Sequence, residues 1–129
     1  MSIKGKNEIK VSFFYTDEDL MDIVVTALEG GIGYWACLDN TGKDFEDQPD
    51  DMPVSEWCWE LLKQGKQLHF YDDSGEEEEA EYFLDMASLY TGIGKAIANK
   101  CWDGDMDMLD ADVADAIIQY AIFDDVIYG

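Results

Sequence analysis

Three aspartates, Asp103, Asp105 and Asp107, stand at alternate positions in DGDMDMLDADVA (103–114), the spacing with which an EF-hand loop begins. Oxygen ligands so placed can hold a hard cation, which makes these three the candidate metal ligands. The pattern then breaks: position six is Met108 where the loop needs glycine, and position twelve is Ala114 where it needs glutamate. The expectation is an acidic turn leading into a helix, with no metal and no cofactor. GGIG (30–33) lacks the lysine and hydroxyl of a phosphate loop and reads as a helix stop. His69, the only histidine, has no nucleophile beside it in sequence and reads as a strand residue. Cys37, Cys58 and Cys101 form no CxxC or Cys/His cluster, so buried thiols are expected rather than ligands. With 30 acids some carboxylate pairs arise by chance, so pairs alone do not argue for hydrolysis, and no enzyme is expected.

The more unusual chemistry is charge itself. YDDSGEEEEAEYFLD (71–85) holds eight carboxylates in fifteen positions and no base. The chain has 30 acids against 8 lysines and no arginine, for a net charge of -22. Only Glu8 precedes Thr16 among the acids, whereas three lysines do; from Thr16 onward 29 acids face 5 lysines, or -24. Solubility needs a net charge of only ~2–8 in magnitude. Duplex DNA carries a charge every ~1.7 Å, so this excess matches roughly 37 Å of duplex. A compact domain of this length has a radius of gyration near ~14 Å and hence a similar span. On a strand, side chains two positions apart lie ~6.7 Å from one another, about two base-pair rises, so a rigid row of carboxylates approximates a row of phosphates.

These acids need elements to hold them. EIKVSFFY (8–15) reads as a first strand. Thr16 and Asp19 form a capping box for a helix whose apolar positions are Leu20, Ile23, Val24, Ala27 and Leu28, ended by Gly30 and Gly31. IGYWACL (32–38) suits a second strand, and 39–53 an exposed acidic loop containing both prolines. Ser55 is placed to cap a helix SEWCWELLKQ, stopped by Gly65. KQLHFYD and EEEAEYFLD read as a hairpin turning at DSGE, with Ala80, Tyr82 and Leu84 on one face and Glu79, Glu81, Phe83 and Asp85 on the other. Helices are expected at 86–99 and from Asp110 to Phe123, the latter burying Val113, Ala114, Ile117, Ile118, Ala121 and Ile122. The fold class is α+β: a small, mostly antiparallel sheet against three to four helices, in a single two-layer domain over 1–129, with 1–7 a flexible basic tail.

With 47% apolar and 13% aromatic residues the chain folds despite its charge. No run reaches the roughly 18 apolar residues of a membrane span, and MSIKGKNEIK has no apolar signal core, so a cytoplasmic protein is expected. GGIGYWACLDN (30–40) and IIQYAIFDDVIYG (117–129) resemble stretches of small proteins encoded by bacteriophages and prophages. That resemblance implies a mobile element in a bacterial cell and carries no site residue. In charge and size the chain is also similar to the acidic DNA-mimic inhibitors such elements use against restriction enzymes and CRISPR effectors.

The leading expectation is therefore a DNA-mimic inhibitor that occupies the basic groove of a nucleic-acid-binding protein and binds no nucleic acid itself. Its contact residues would be Asp44, Glu46, Asp47, Asp50 and Asp51 in the 39–51 loop. Asp72, Asp73, Glu76, Glu77, Glu78, Glu79 and Glu81 would add the hairpin, and Asp103, Asp105 and Asp107 the late turn. Trp57 and Trp59, about 200° apart on a helix, cannot both face one core, so one of them is the candidate aromatic anchor. An immunity protein against a nuclease toxin is the alternative, and a metal-binding or hydrolytic domain using clustered aspartates the second. A dimer would double the length of the mimicked duplex.

Overall fold

The computed structural model describes residues 5, 7–75 and 79–129. Four helices and a three-stranded antiparallel sheet form a small α+β fold, in the order α1 (Asp17–Thr26), β1 (Ala36–Leu38), α2 (Val54–Lys63), β2 (Leu68–Asp72), β3 (Glu81–Leu84), α3 (Met86–Ala98) and α4 (Ala111–Phe123). The expected fold class holds. Residues 1–4 and 6, most of the expected basic tail, lie outside the described residues.

Helix α1 begins as its sequence requires. The Thr16 hydroxyl accepts from Asp19 N–H, and the Asp19 carboxylate accepts from Thr16 N–H, each at 3.1 Å. Leu20, Ile23 and Val24 enter the core. The helix runs into a wider turn at Ala27–Gly31. A Cβ on Gly31 would stand 3.0 Å from Ala111 O and 3.3 Å from Asp115 N, so glycine is what lets the start of α4 approach this turn. Asp85 and Asp110 cap α3 and α4 by accepting from Ser88 N–H and Val113 N–H.

Several expectations are corrected. Residues 8–15 form no strand among the described residues; the segment lies along the surface, where Phe13 and the Tyr15 hydroxyl meet Gly104. The second strand contracts to three residues because Ile32 closes the turn after α1, with Trp35 and Ala36 donating back to its carbonyl. Ser55 does not cap α2. Pro53 occupies that place, a sensible start because its missing N–H costs nothing there, while Ser55 is buried and donates to Glu29 at 3.2 Å. Of the three cysteines only Cys58 is buried, its thiol pushed up to about 12 by burial; Cys37 and Cys101 are exposed.

The sheet order is β1-β2-β3. Ala36 pairs with Asp72 and Leu38 with Phe70, while Leu68 pairs with Leu84 and Tyr71 with Glu81. The hairpin face assignment holds: Tyr82 and Leu84 point into the core beside Leu68 and Phe70, and Glu81 and Phe83 point out. Glu79 falls in the turn before β3, and Asp85 has left the strand to cap α3.

Helices α3 and α4 pack tightly. A Cβ on Gly92 would lie 2.3 Å from Ile117 O and 2.8 Å from Ala121 Cβ. On α4, Ala114, Ile117 and Ile118 are fully buried, and Val113, Ala121 and Ile122 half so. Asp115, Gln119 and Tyr120 are buried as well, so the helix is covered on more than its apolar stripe. Gln119 fastens the segment that follows: its Oε1 accepts from Ile127 N–H at 2.7 Å and Tyr128 N–H at 2.8 Å. Tyr128 then stacks on Trp35, centroids 5.3 Å apart.

Candidate polyanionic surface

Some acids are consumed by the fold. Asp115 is one: Tyr34 hydroxyl donates to its Oδ2 at 2.5 Å, and Trp35 Nε1 and Gln119 Nε2 donate to its Oδ1 at 2.8 and 2.9 Å. Burial, and then this carboxylate, push the Tyr34 hydroxyl up to about 12. Asp72 is another. It accepts from Tyr82 hydroxyl at 2.6 Å, Ser74 hydroxyl at 2.7 Å and Tyr128 hydroxyl at 2.9 Å, and these donors hold it well below the usual carboxylate range, Tyr82 first. Asp72 thus spends its lone pairs inside the protein, where the sequence had offered it to a partner.

The remaining candidates fall in three places. Glu46, Asp47, Asp50 and Asp51 are exposed on the loop that leaves β1 at its Leu38 end. That loop is held by Trp57, whose Nε1 donates to Asp44 O at 3.0 Å, and by Lys66, which pairs with Asp44 at 3.4 Å. Asp73 and Glu79 are exposed at the opposite end of the sheet, where the hairpin turns beyond Asp72. Glu76, Glu77 and Glu78 lie outside the described residues. Asp103, Asp105 and Asp107 occupy a third site on the helical side, between α3 and α4. Strand pairing alone therefore separates the 39–51 loop from the hairpin turn by the length of β2.

The late turn gains neighbours the sequence did not suggest. Tyr15 donates its hydroxyl to Gly104 O at 2.7 Å and stacks on Trp102 at 5.7 Å. Its hydroxyl is pushed up by burial, and then by Asp19, Asp103 and Asp105, which places the first turn of α1 in the same negative field. In the turn itself Asp103 Oδ1 accepts from Asp105 N–H and Asp105 Oδ1 from Asp107 N–H, each at 2.9 Å. Those bonds orient the carboxylates along the chain rather than around a common centre. Among the described residues no group of three or more His, Cys, Asp or Glu side chains is placed to hold a metal ion.

Neither tryptophan of α2 is open to solvent as a candidate anchor. Trp59 is buried, 2% exposed, and Trp57 is half-buried against the core, clamping the acidic loop. Neither can serve a partner as an open anchor. Exposed rings lie instead on the outer sheet face, where Tyr71 and Phe83 flank His69. His69 stacks on Phe83 at 4.8 Å and meets Tyr71 at 4.7 Å. Its Nδ1 faces Asp39 Oδ2 at 3.1 Å and its Nε2 faces Glu81 Oε1 at 2.9 Å. Asp39 is lowered to about 2, chiefly by Thr41 and then by His69. The result is three rings bordered by two carboxylates on a rigid sheet. Strand alternation in LHFYD and EYFL was the signal for it.

No family model, curated protein or solved structure matches the chain. No helix among the described residues is long and apolar enough to cross a membrane.

Proposed function

We propose that this protein is a polyanionic inhibitor that occupies the basic groove of a nucleic-acid-binding protein. The observation that carries the reading is the near-absence of internal neutralisation. Among the described residues lysine pairs with carboxylate in three places, Lys63 with Glu60, Lys66 with Asp44 and Lys95 with Asp124. Among the described residues the other exposed acids stand on helices, short turns and strands with no lysine within 4 Å. Such charge weakens the compact state by self-repulsion, so a use outside the fold is the better account of it.

A basic groove exchanges counterions for phosphates, and fixed carboxylates compete for the same cations. The rings of Tyr71 and Phe83 add faces on which a lysine or arginine can rest beside Asp39 and Glu81. Because the acids lie in separate places, a partner would engage one face at a time or wrap the body.

The test immobilises the protein, applies bacterial lysate, and elutes with short duplex DNA before salt. Each DNA-eluted protein is then assayed for DNA binding with the purified inhibitor added. Stoichiometric loss of DNA binding by an eluted protein supports the reading. If DNA releases nothing, or released proteins bind DNA undisturbed, the reading fails.

A further inference from the structure

Strand register sets six side chains in two rows on the outer face of the sheet. One row runs Asp39, His69, Phe83, because Asp39 N–H donates to His69 O and His69 pairs with Phe83. The other runs Cys37, Tyr71, Glu81, since Tyr71 pairs with both of its neighbours. Side chains across a strand pair stand about 5 Å apart, and those two positions along a strand ~6.7 Å. Glu81 therefore has the Tyr71 ring across from it and the Phe83 ring beside it. His69 holds a carboxylate at each ring nitrogen and stacks on Phe83 within 9° of parallel. Tyr71 and Phe83 nonetheless stay 45% and 48% exposed, and the Glu81 side chain 51%.

Elsewhere on the molecule exposed rings and exposed charge are mostly apart. Tyr90 is open on α3, but residues 86–102 hold no acid. Tyr34 touches Asp115, which is buried and already takes three donors. On the sheet, open rings and an open carboxylate share one rigid surface. None of the three lysine–carboxylate pairs among the described residues reaches it.

We propose, resting on the polyanionic reading above, that the basic partner docks on this sheet face and inserts an arginine side chain there. A guanidinium is planar, weakly hydrated and able to stack on a ring while donating two parallel N–H groups to a carboxylate. An ammonium is a strongly hydrated point charge and matches the rings less well. The guanidinium lies on Tyr71 and Phe83 and donates to Glu81. Asp39, its side chain only 17% exposed, positions His69 and through it Glu81. The chain carries no arginine of its own to compete for the place.

Nuclear magnetic resonance on the full chain tests this, with acetyl-Gly-Arg-Gly-amide as the probe and its lysine and citrulline counterparts as controls. The arginine peptide should shift the signals of His69, Tyr71, Glu81 and Phe83 saturably. The lysine peptide should bind more weakly, and citrulline, which has the shape without the charge, not at all. Tyr71→Leu and Phe83→Leu keep an apolar side chain but remove the π face, and each should weaken binding about threefold. Glu81→Gln should weaken it further, and all three exposed substitutions should leave cooperative melting intact. Shifts spread evenly over residues 44–51 and 103–107 without saturation would overturn the arginine site and leave the polyanionic reading standing. Saturable binding here, alongside a failure of duplex DNA to elute any partner, would support the site and sink that reading. Equal responses to arginine and lysine would overturn the assignment of a guanidinium. Ring signals that move on dilution of the protein alone would mean that a second copy covers this face, and would overturn the proposal as well.

Discussion

Trp35 donates its indole N–H to Asp115 at 2.8 Å, so the ring at the centre of the core is anchored on a carboxylate. The same carboxylate takes Tyr34 and Gln119, and Gln119 takes the backbone of Ile127 and Tyr128. One acid of α4 thereby links the strand entry to the C-terminal segment. Asp115→Ala removes the acceptor of buried Trp35 Nε1 and one acceptor each from Tyr34 and Gln119, and should cost about 3 kcal/mol of stability in urea unfolding. Asp115→Asn keeps one carbonyl oxygen, and the Tyr34 hydroxyl can rotate to accept, so its loss should be clearly smaller. A loss below about 1 kcal/mol in Asp115→Ala would mean the network contributes little.

Acid should act on the fold through Asp72 and Asp39. Both are depressed in the folded state from the ordinary 3.8, Asp39 to about 2. A depressed folded value means the unfolded chain takes up protons first. The stability they contribute is complete above the unfolded value and drains as pH falls through the folded one. Thermal melts from about pH 5 to about pH 2 should fall steeply for the wild type. Asp72→Asn should be less stable at neutral pH and show a shallower acid limb. An unchanged limb would remove Asp72 from the account.

Salt should stabilise this protein. With few lysine pairs to weaken, screening acts mainly on repulsion among exposed acids. Raising sodium chloride from ~0.01 to ~1 M shortens the Debye length from about 30 to about 3 Å. The melting temperature should rise over that range, most of it well before the upper limit. A fall would mean attractive pairs dominate the surface.

Gly92 is set by a helix crossing. Gly92→Ala places a methyl group against Ile117 O and Ala121, so α3 must move off α4 at a cost of about 3 kcal/mol. Gly94, two positions on, meets nothing within 4 Å. Gly94→Ala should therefore be neutral or slightly stabilising through helix propensity. Chemical denaturation of the two variants side by side distinguishes a packing requirement from a general need for flexibility in α3.

Local signals were legible where the chain solves its own problem nearby. Thr16 with Asp19, Asp110 before α4, and the alternation of Tyr82 and Leu84 each fix a structure within a few residues. Failures occurred where distant partners decide. EIKVSFFY has the composition of a strand, but a strand needs a neighbour, and none among the described residues reaches it. Ser55 looked like a cap, yet it is turned inward to Glu29, from a different helix end. Asp72 looked like a member of a charged surface, and only the folded arrangement of Tyr82 and Tyr128 reveals it as an internal acceptor. Trp57 and Trp59 were read from helical angle alone, which says nothing of the acidic loop that closes over one of them.

The grip of Gln119 on Ile127 and Tyr128 has a consequence for synthesis. Tyr128 also binds Asp72 at the hairpin and stacks on Trp35, so it joins pieces that leave the ribosome long before it does. At ~5–20 residues per second, strands and early helices wait several seconds with Asp72 and Trp35 unfinished. During that wait the nascent chain is an acidic, half-assembled body beside ribosomal RNA of the same sign.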